Sequence, residues 1–100
     1  MDSQNRVAAF VDERDVDAEP AYRVLDLAAE TGEIAADAAK SSDYGDAPDD
    51  LTVGEDELGD ALFSLLATAE SLDIDAGAAL DGPLAKYERR VDESADLGSK

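Results

Sequence analysis

Apolar positions recur at helical spacing in four stretches of this chain, and turn-forming residues separate them. Val7, Phe10 and Val11 predict a helix from about Ser3 to Glu13. Asp15 to Pro20 reads as the break. Pro20 suits the first turn of the next helix, where its missing N–H costs nothing. That helix is predicted from about Ala21 to Ser41. Leu25, Ala28, Gly32, Ala35 and Ala39 form a stripe of mostly small residues along it, widened by Ala36 and Ala38. Such a stripe would let another helix come close.

A loop is expected from Ser42 to Asp50, with Tyr44, Gly45 and Pro48 in it. Thr52-Val53-Gly54-Glu55 fits a capping box that opens a third helix, running to about Leu72. Leu58, Ala61, Leu62, Phe63, Leu65, Leu66, Ala67 and Ala69 make it apolar nearly all round. A helix of that kind needs cover on more than one side. An oligomer interface is expected there, with a homodimer the minimum and a homotetramer the other option.

Asp75 is a plausible N-cap for a fourth helix. Gly82-Pro83 is expected to interrupt or kink it, with Asp81 able to cap a fresh start. No alternating run supports a strand. The fold class is therefore all-α: a four-helix bundle-like protomer in an oligomer. Residues 1–100 read as a single domain with its core at about 20–92 and a frayed tail at 94–100.

Composition sharpens this picture. The 100 residues carry 26 Asp+Glu against 8 Lys+Arg, a net charge of −18, and no His, Cys or Trp. There is no thiolate nucleophile, no disulfide, no Ser-His-Asp triad and no ordinary zinc site. A bound metal would have to be held by oxygen, which points to Mg²⁺, Mn²⁺ or Ca²⁺. Without a basic patch, nucleic acid and anionic membranes are poor partners. The longest apolar stretch, Ala61 to Ala69, falls far short of the ~20 residues of a membrane span. The chain reads as cytoplasmic. Its acids are spread along the whole length, with 17 Asp to 9 Glu and only three Lys, which fits halophilic adaptation better than an acidic tail.

Two carboxylate pairs stand among apolar residues. Glu30 and Glu33 are three apart on the second helix, and Glu57 and Asp60 are three apart on the third. Residues at i and i+3 share a helix face. Packed side by side, the two helices would offer four carboxylates to one point, an arrangement that a divalent cation would offset. In so acidic a chain such spacing also arises by chance, as at Asp12/Asp15 and Asp46/Asp49. Apolar neighbours and a glycine inside each pair, Gly32 and Gly59, set these two apart. Asp26 and Asp37 continue the Glu30/Glu33 face by one turn either way, where a carboxylate is more often solvated than functional.

Glu30-Thr31-Gly32-Glu33 and Glu57-Leu58-Gly59-Asp60, separated by 23 residues, resemble the paired motifs of the MazG-like all-α nucleoside triphosphate pyrophosphohydrolases. The surrounding words resemble that family as well: Leu27 to Ala35, Glu55 to Phe63, and the basic Lys86-Tyr87-Glu88-Arg89-Arg90. The likeness spans about residues 20 to 90. One position departs from the pattern: Ala29 stands where the family has the first Glu of its opening motif.

The resemblance implies hydrolysis of a nucleoside triphosphate between its α and β phosphates, giving monophosphate and pyrophosphate. Mg²⁺, or Mn²⁺, would be the cofactor. Glu30, Glu33 and Asp60 would be metal ligands, and Glu57 a ligand or the base that activates water. Lys86 and Arg90 would bind phosphate, with Lys40 a weaker candidate. Lys86 and Arg90 also fit a plain helix C-terminal role. Tyr22, Tyr44 and Phe63 could stack on a base or simply pack. Two alternatives stay open: a helical interaction protein that keeps the fold without activity, and a phosphoribosyl-ATP pyrophosphohydrolase.

Overall fold

The structure is a computed structural model that describes residues 2–14, 16 and 18–98, with side chains described through residue 95. Among the described residues there are four α-helices and no strand. They are α1 (Asp2–Arg14), α2 (Pro20–Ser41), α3 (Glu55–Ser71) and α4 (Ala76–Gly98), with a short 3₁₀ turn at Pro48–Asp50. The all-α reading holds. Residues 15 and 17, inside the expected break, lie outside the described residues. Pro20 is the first residue of α2, as its ring predicts.

The core is built on α3. It packs chiefly on α2 and, on another side, on α1. Leu66, Ala67 and Ala69 are its buried apolar residues, with Ser64 and Thr68 buried beside them. Thr68 Oγ1 donates to the Ser64 carbonyl at 2.7 Å, which satisfies the hydroxyl inside the interface.

The α2–α3 connection fixes their alignment. The helix end at Ser41 closes with Tyr44 N–H on the Ala39 carbonyl (2.6 Å) and Asp43 N–H on the Lys40 carbonyl (3.3 Å), the pattern of a Schellman cap. Asp43, Tyr44 and Gly45 all have positive φ. Ser42 is buried, and its hydroxyl donates to the Ala38 carbonyl at 2.6 Å. Ser41 Oγ then accepts from the Thr52 N–H at 2.8 Å, tying the end of α2 to the approach of α3.

Three expectations change. Gly54, not Thr52, is the N-cap of α3, and no side chain caps it. Thr52 sits two residues too early and donates to the Asp50 carbonyl at 3.2 Å. The small-residue stripe of α2 is largely not its packing face. Leu25, Ala28, Gly32 and Ala35 are exposed, whereas Leu27, Glu30, Ile34 and Asp37 are half-buried. The helix at Pro83 continues unbroken through Gly98. Pro83 is exposed, so the carbonyl that its missing N–H leaves free can reach water.

Asp75 caps α4 as expected, accepting from the Ala78 N–H at 3.1 Å. The corner before it is a second Schellman cap: Ile74 N–H reaches the Ala69 carbonyl at 2.9 Å, and Asp73 takes φ 56°. Gln4 of α1 braces this corner and is itself buried. Its Nε2 donates to Glu70 Oε1 (2.8 Å) and to the Ile74 carbonyl (2.7 Å), and its Oε1 accepts from the Ala76 N–H (2.7 Å). Beyond the corner α4 packs extensively on none of the other helices. The radius of gyration is 17.4 Å, against about 13 Å for a compact chain of this length.

Candidate active site

The antiparallel alignment of α2 and α3 brings the two carboxylate pairs to one interface. Glu30 and Glu57 are half-buried on the facing sides, while Glu33 and Asp60 are exposed beside them. Glu30 Oε2 and Glu57 Oε2 are buried atoms with no hydrogen-bond partner. A buried polar oxygen without a partner is costly. Two of them, one from each pair, mark this interface as the place where a donor or cation is wanting.

The electrostatics agree. Glu30 has its pKa raised, first by burial, then by the charges of Glu33 and Asp60, a hydrogen bond with Glu33, and Asp26. Glu57 is pushed up to about 7. The leading cause is a hydrogen bond with the Asp37 carboxyl, followed by burial and the charges of Asp37, Asp56 and Glu33. Two carboxyl groups can share a hydrogen bond only if one keeps its proton. The cluster thus joins Asp26, Glu30, Glu33 and Asp37 of α2 to Asp56, Glu57 and Asp60 of α3.

Asp37 is the member that sequence reasoning undervalued. Its signal was its register: it lies seven residues after Glu30, on the half-buried face that Leu27 and Ile34 share. Gly32 and Gly59 have open space where a Cβ would stand. No protein group approaches their backbone, and the surface at both is free.

On the α1 side of α3 an apolar cavity of about 460 Å³ is lined by Arg6, Phe10, Gly59, Leu62 and Phe63 among others. Phe10 and Phe63 meet edge to face, with centroids 5.9 Å apart. Gly59 borders this cavity, whose lining includes none of the carboxylates; two residues on from Glu57, it lies on a different face of α3 from the one that meets α2. Tyr22 and Tyr44 are exposed and line neither feature.

The basic candidates are distributed differently. Lys40 is exposed, three residues beyond Asp37 on α2. Lys86 and Arg90 flank the Tyr87 ring at 4.9 and 5.7 Å. They lie on α4, which departs from the end of α3 opposite Glu57 and Asp60. A single chain therefore does not bring them to the carboxylates.

The donor set suits a hard cation: all its atoms are carboxylate oxygens, and two are buried without partners. Among the described residues no group of three or more is already gathered closely enough to hold one. The helices described also include none long and apolar enough to cross a membrane.

No curated protein and no solved structure matches this chain. The MazG nucleotide pyrophosphohydrolase domain matches residues 20–94, a span that opens with the first residue of α2, contains both carboxylate pairs and closes within α4. Three quarters of the chain, including the whole of the carboxylate interface, follow that one pattern, and the chain belongs to the MazG nucleotide pyrophosphohydrolase family.

Proposed function

We propose that the protein hydrolyses a nucleoside triphosphate to its monophosphate and pyrophosphate, with Mg²⁺ or Mn²⁺ held by Glu30, Glu33, Glu57 and Asp60. The observation that carries this reading is the pair of buried, partnerless oxygens, Glu30 Oε2 and Glu57 Oε2, contributed by opposite motifs.

When bound, the cation would neutralise phosphate charge and lower the pKa of a water molecule. Glu57 stands at the first turn of α3 and serves either as a ligand or as the acceptor of that water's proton. Asp37 holds the Glu57 carboxyl in place from the facing helix. Water adds across the bond between the α and β phosphates, and pyrophosphate leaves. Lys86, Arg90 and Lys40 supply positive charge for the phosphates.

The working form is a homo-oligomer, a dimer at least. Leu58, Leu62 and Leu65 of α3 and Leu72 just beyond its end are each about half exposed in one chain, so the core helix leaves one side bare. The evenly spread acids fit a salty cytoplasm, where screening relieves a charge of −18.

Pyrophosphate release from a panel of ordinary and modified triphosphates, and from phosphoribosyl-ATP, tests the proposal. The assay contains Mg²⁺ or Mn²⁺ at molar KCl. Release from at least one triphosphate is expected, and release from none overturns it. Glu33→Gln and Asp60→Asn are each expected to abolish turnover while the helical circular dichroism persists.

A further inference from the structure

Helix α1 lies ahead of residues 20–94, the span that follows the family pattern, and it packs on α3. Its second half meets the start of α2 and the end of α3 around a cavity of about 210 Å³. Asp12 of α1, Arg23 of α2, and Glu70 and Ser71 of α3 line this cavity, with Val11 and the buried Ala67 among its apolar walls. Glu70 stands ten residues beyond Asp60 on α3, about 15 Å along the helix. The cavity is therefore separate from the carboxylate interface, and α1 supplies one of its walls.

Opposite charges that share a small space usually close on one another. Among the described residues, Arg23 makes no ion pair with either Asp12 or Glu70. Bonds to other groups hold the charges where they are. Arg23 Nη2 donates to the Val16 carbonyl at 2.6 Å. Glu70 Oε1 accepts from Gln4 Nε2 at 2.8 Å, and Gln4 is itself buried and bonded twice more at the α3–α4 corner. The Ser71 hydroxyl donates to the Thr68 carbonyl at 2.7 Å, which leaves its lone pairs able to accept. Side chains fixed in this way lose little freedom when a ligand arrives, so less of the binding energy is spent on ordering them.

Size and charge narrow the ligand. At about 30 Å³ per water molecule the cavity has room for about seven, so the ligand has few atoms. A simple anion would meet Arg23 but also two carboxylates, and a simple cation would meet the carboxylates but also the guanidinium. A zwitterion suits both signs at once. Its carboxylate matches the planar fork of Arg23, and its ammonium finds acceptors in Asp12 and Glu70. Val11 and Ala67 offer contact to a small apolar side chain. A ligand of zero net charge also escapes the long-range repulsion that a chain of net charge −18 exerts on anions.

We propose that the junction of α1, α2 and α3 binds a small α-amino acid as its zwitterion, with the carboxylate on Arg23 and the ammonium between Asp12 and Glu70. The bound amino acid ties α1 to the two helices that carry the carboxylate pairs. This site does not depend on the pyrophosphohydrolase reading and is tested without an activity assay.

The test is a titration of the ¹⁵N-labelled full chain at molar KCl, followed by amide chemical shifts. L-alanine and L-serine are the probes. Acetate and methylammonium, which carry the two charges separately, are the controls. At least one of the amino acids is expected to give shifts that saturate in the millimolar range and centre on Ala8, Arg23 and Ser71, with neither control doing so. Asp12→Asn and Arg23→Gln are each expected to weaken binding about tenfold or more, the worth of a hydrogen bond to a charged group. Arg23 also holds the Val16 carbonyl, so helical circular dichroism checks that variant. Asp12 makes no hydrogen bond through its side chain to the described residues, and Asp12→Asn decides the matter if Arg23→Gln does not fold. No saturable shift with either amino acid overturns the proposal. So does a control that saturates as readily as the amino acids, or an Asp12→Asn variant that binds as tightly as the wild type.

Discussion

Glu57 of α3 shares a hydrogen bond with Asp37 of α2, and that bond is the main reason its pKa stands at about 7 instead of 4.5. The folded chain thus keeps a proton that the unfolded chain gives up near pH 4.5. A raised carboxyl pKa contributes stability that is present below 4.5 and is lost as the pH climbs through about 7. Glu30, also raised, acts in the same direction. Thermal melts without divalent cation are expected to show stability falling between pH 5 and pH 8. Asp37→Asn gives Glu57 an amide donor in place of a second carboxyl and should flatten that slope. An unchanged slope in this variant would remove Asp37 as the cause.

One side chain from α1 braces the corner between α3 and α4, beside the Schellman cap and the Asp75 cap. Gln4 is 4 % exposed and uses both ends of its amide there. Gln4→Ala leaves the Ile74 carbonyl and the Ala76 N–H without their partner, at a cost of about 1–3 kcal/mol. Denaturation by urea should show that loss, and amide exchange at Ala76 should quicken with it. Gln4→Glu sets a carboxylate against Glu70, so its penalty is expected to be larger at pH 7 than at pH 4.

These two sites show where sequence reasoning reached and where it stopped. Helical periodicity placed all four helices, because each buries some apolar face or is capped by its own residues, as Asp75 caps α4. Spacing also put Glu30 with Glu33 and Glu57 with Asp60. It did not show which side of α2 meets α3. The small stripe at Ala28 and Gly32 looked like the contact, yet the half-buried face carries Glu30 and Asp37. Periodicity says which residues share a face but not which face finds a partner. Gln4 was unreadable for a different reason. Its partners are 66 to 72 residues away, and a lone Gln in an N-terminal helix has no pattern to betray them. Pro83 misled because an exposed helix can bear a proline that a buried one could not.

Asp73 holds a backbone conformation that suits glycine. Its φ of 56° closes the Schellman cap at the end of α3. A left-handed residue with a Cβ carries a penalty of about 1–2 kcal/mol. Asp73→Gly is expected to stabilise the protein by about 1 kcal/mol, or roughly 4–8 °C in Tm for a chain of this size. Asp73→Asn removes the same charge and keeps the side chain, so it separates the backbone effect from relief of repulsion. If both variants gain equally, the backbone term is not the cause.

The net charge of −18 and the carboxylate cluster respond to salt in different ways, and this allows them to be told apart. Screening acts on exposed charges at any distance beyond the Debye length, about 10 Å at 0.1 M and about 3 Å at 1 M. Raising KCl from 0.1 to 2 M should therefore raise Tm in the wild type and in Glu33→Gln alike. Millimolar Mg²⁺ added at constant 2 M KCl adds almost nothing to screening. A further rise in Tm under those conditions reports binding to the folded state. That rise is expected in the wild type and should be lost in Glu33→Gln and Asp60→Asn. Melting curves in the two salts, with circular dichroism at 222 nm, measure both effects on one sample. If Mg²⁺ stabilises the wild type and both variants equally, the cation binds elsewhere on the acidic surface and the four carboxylates are not its ligands.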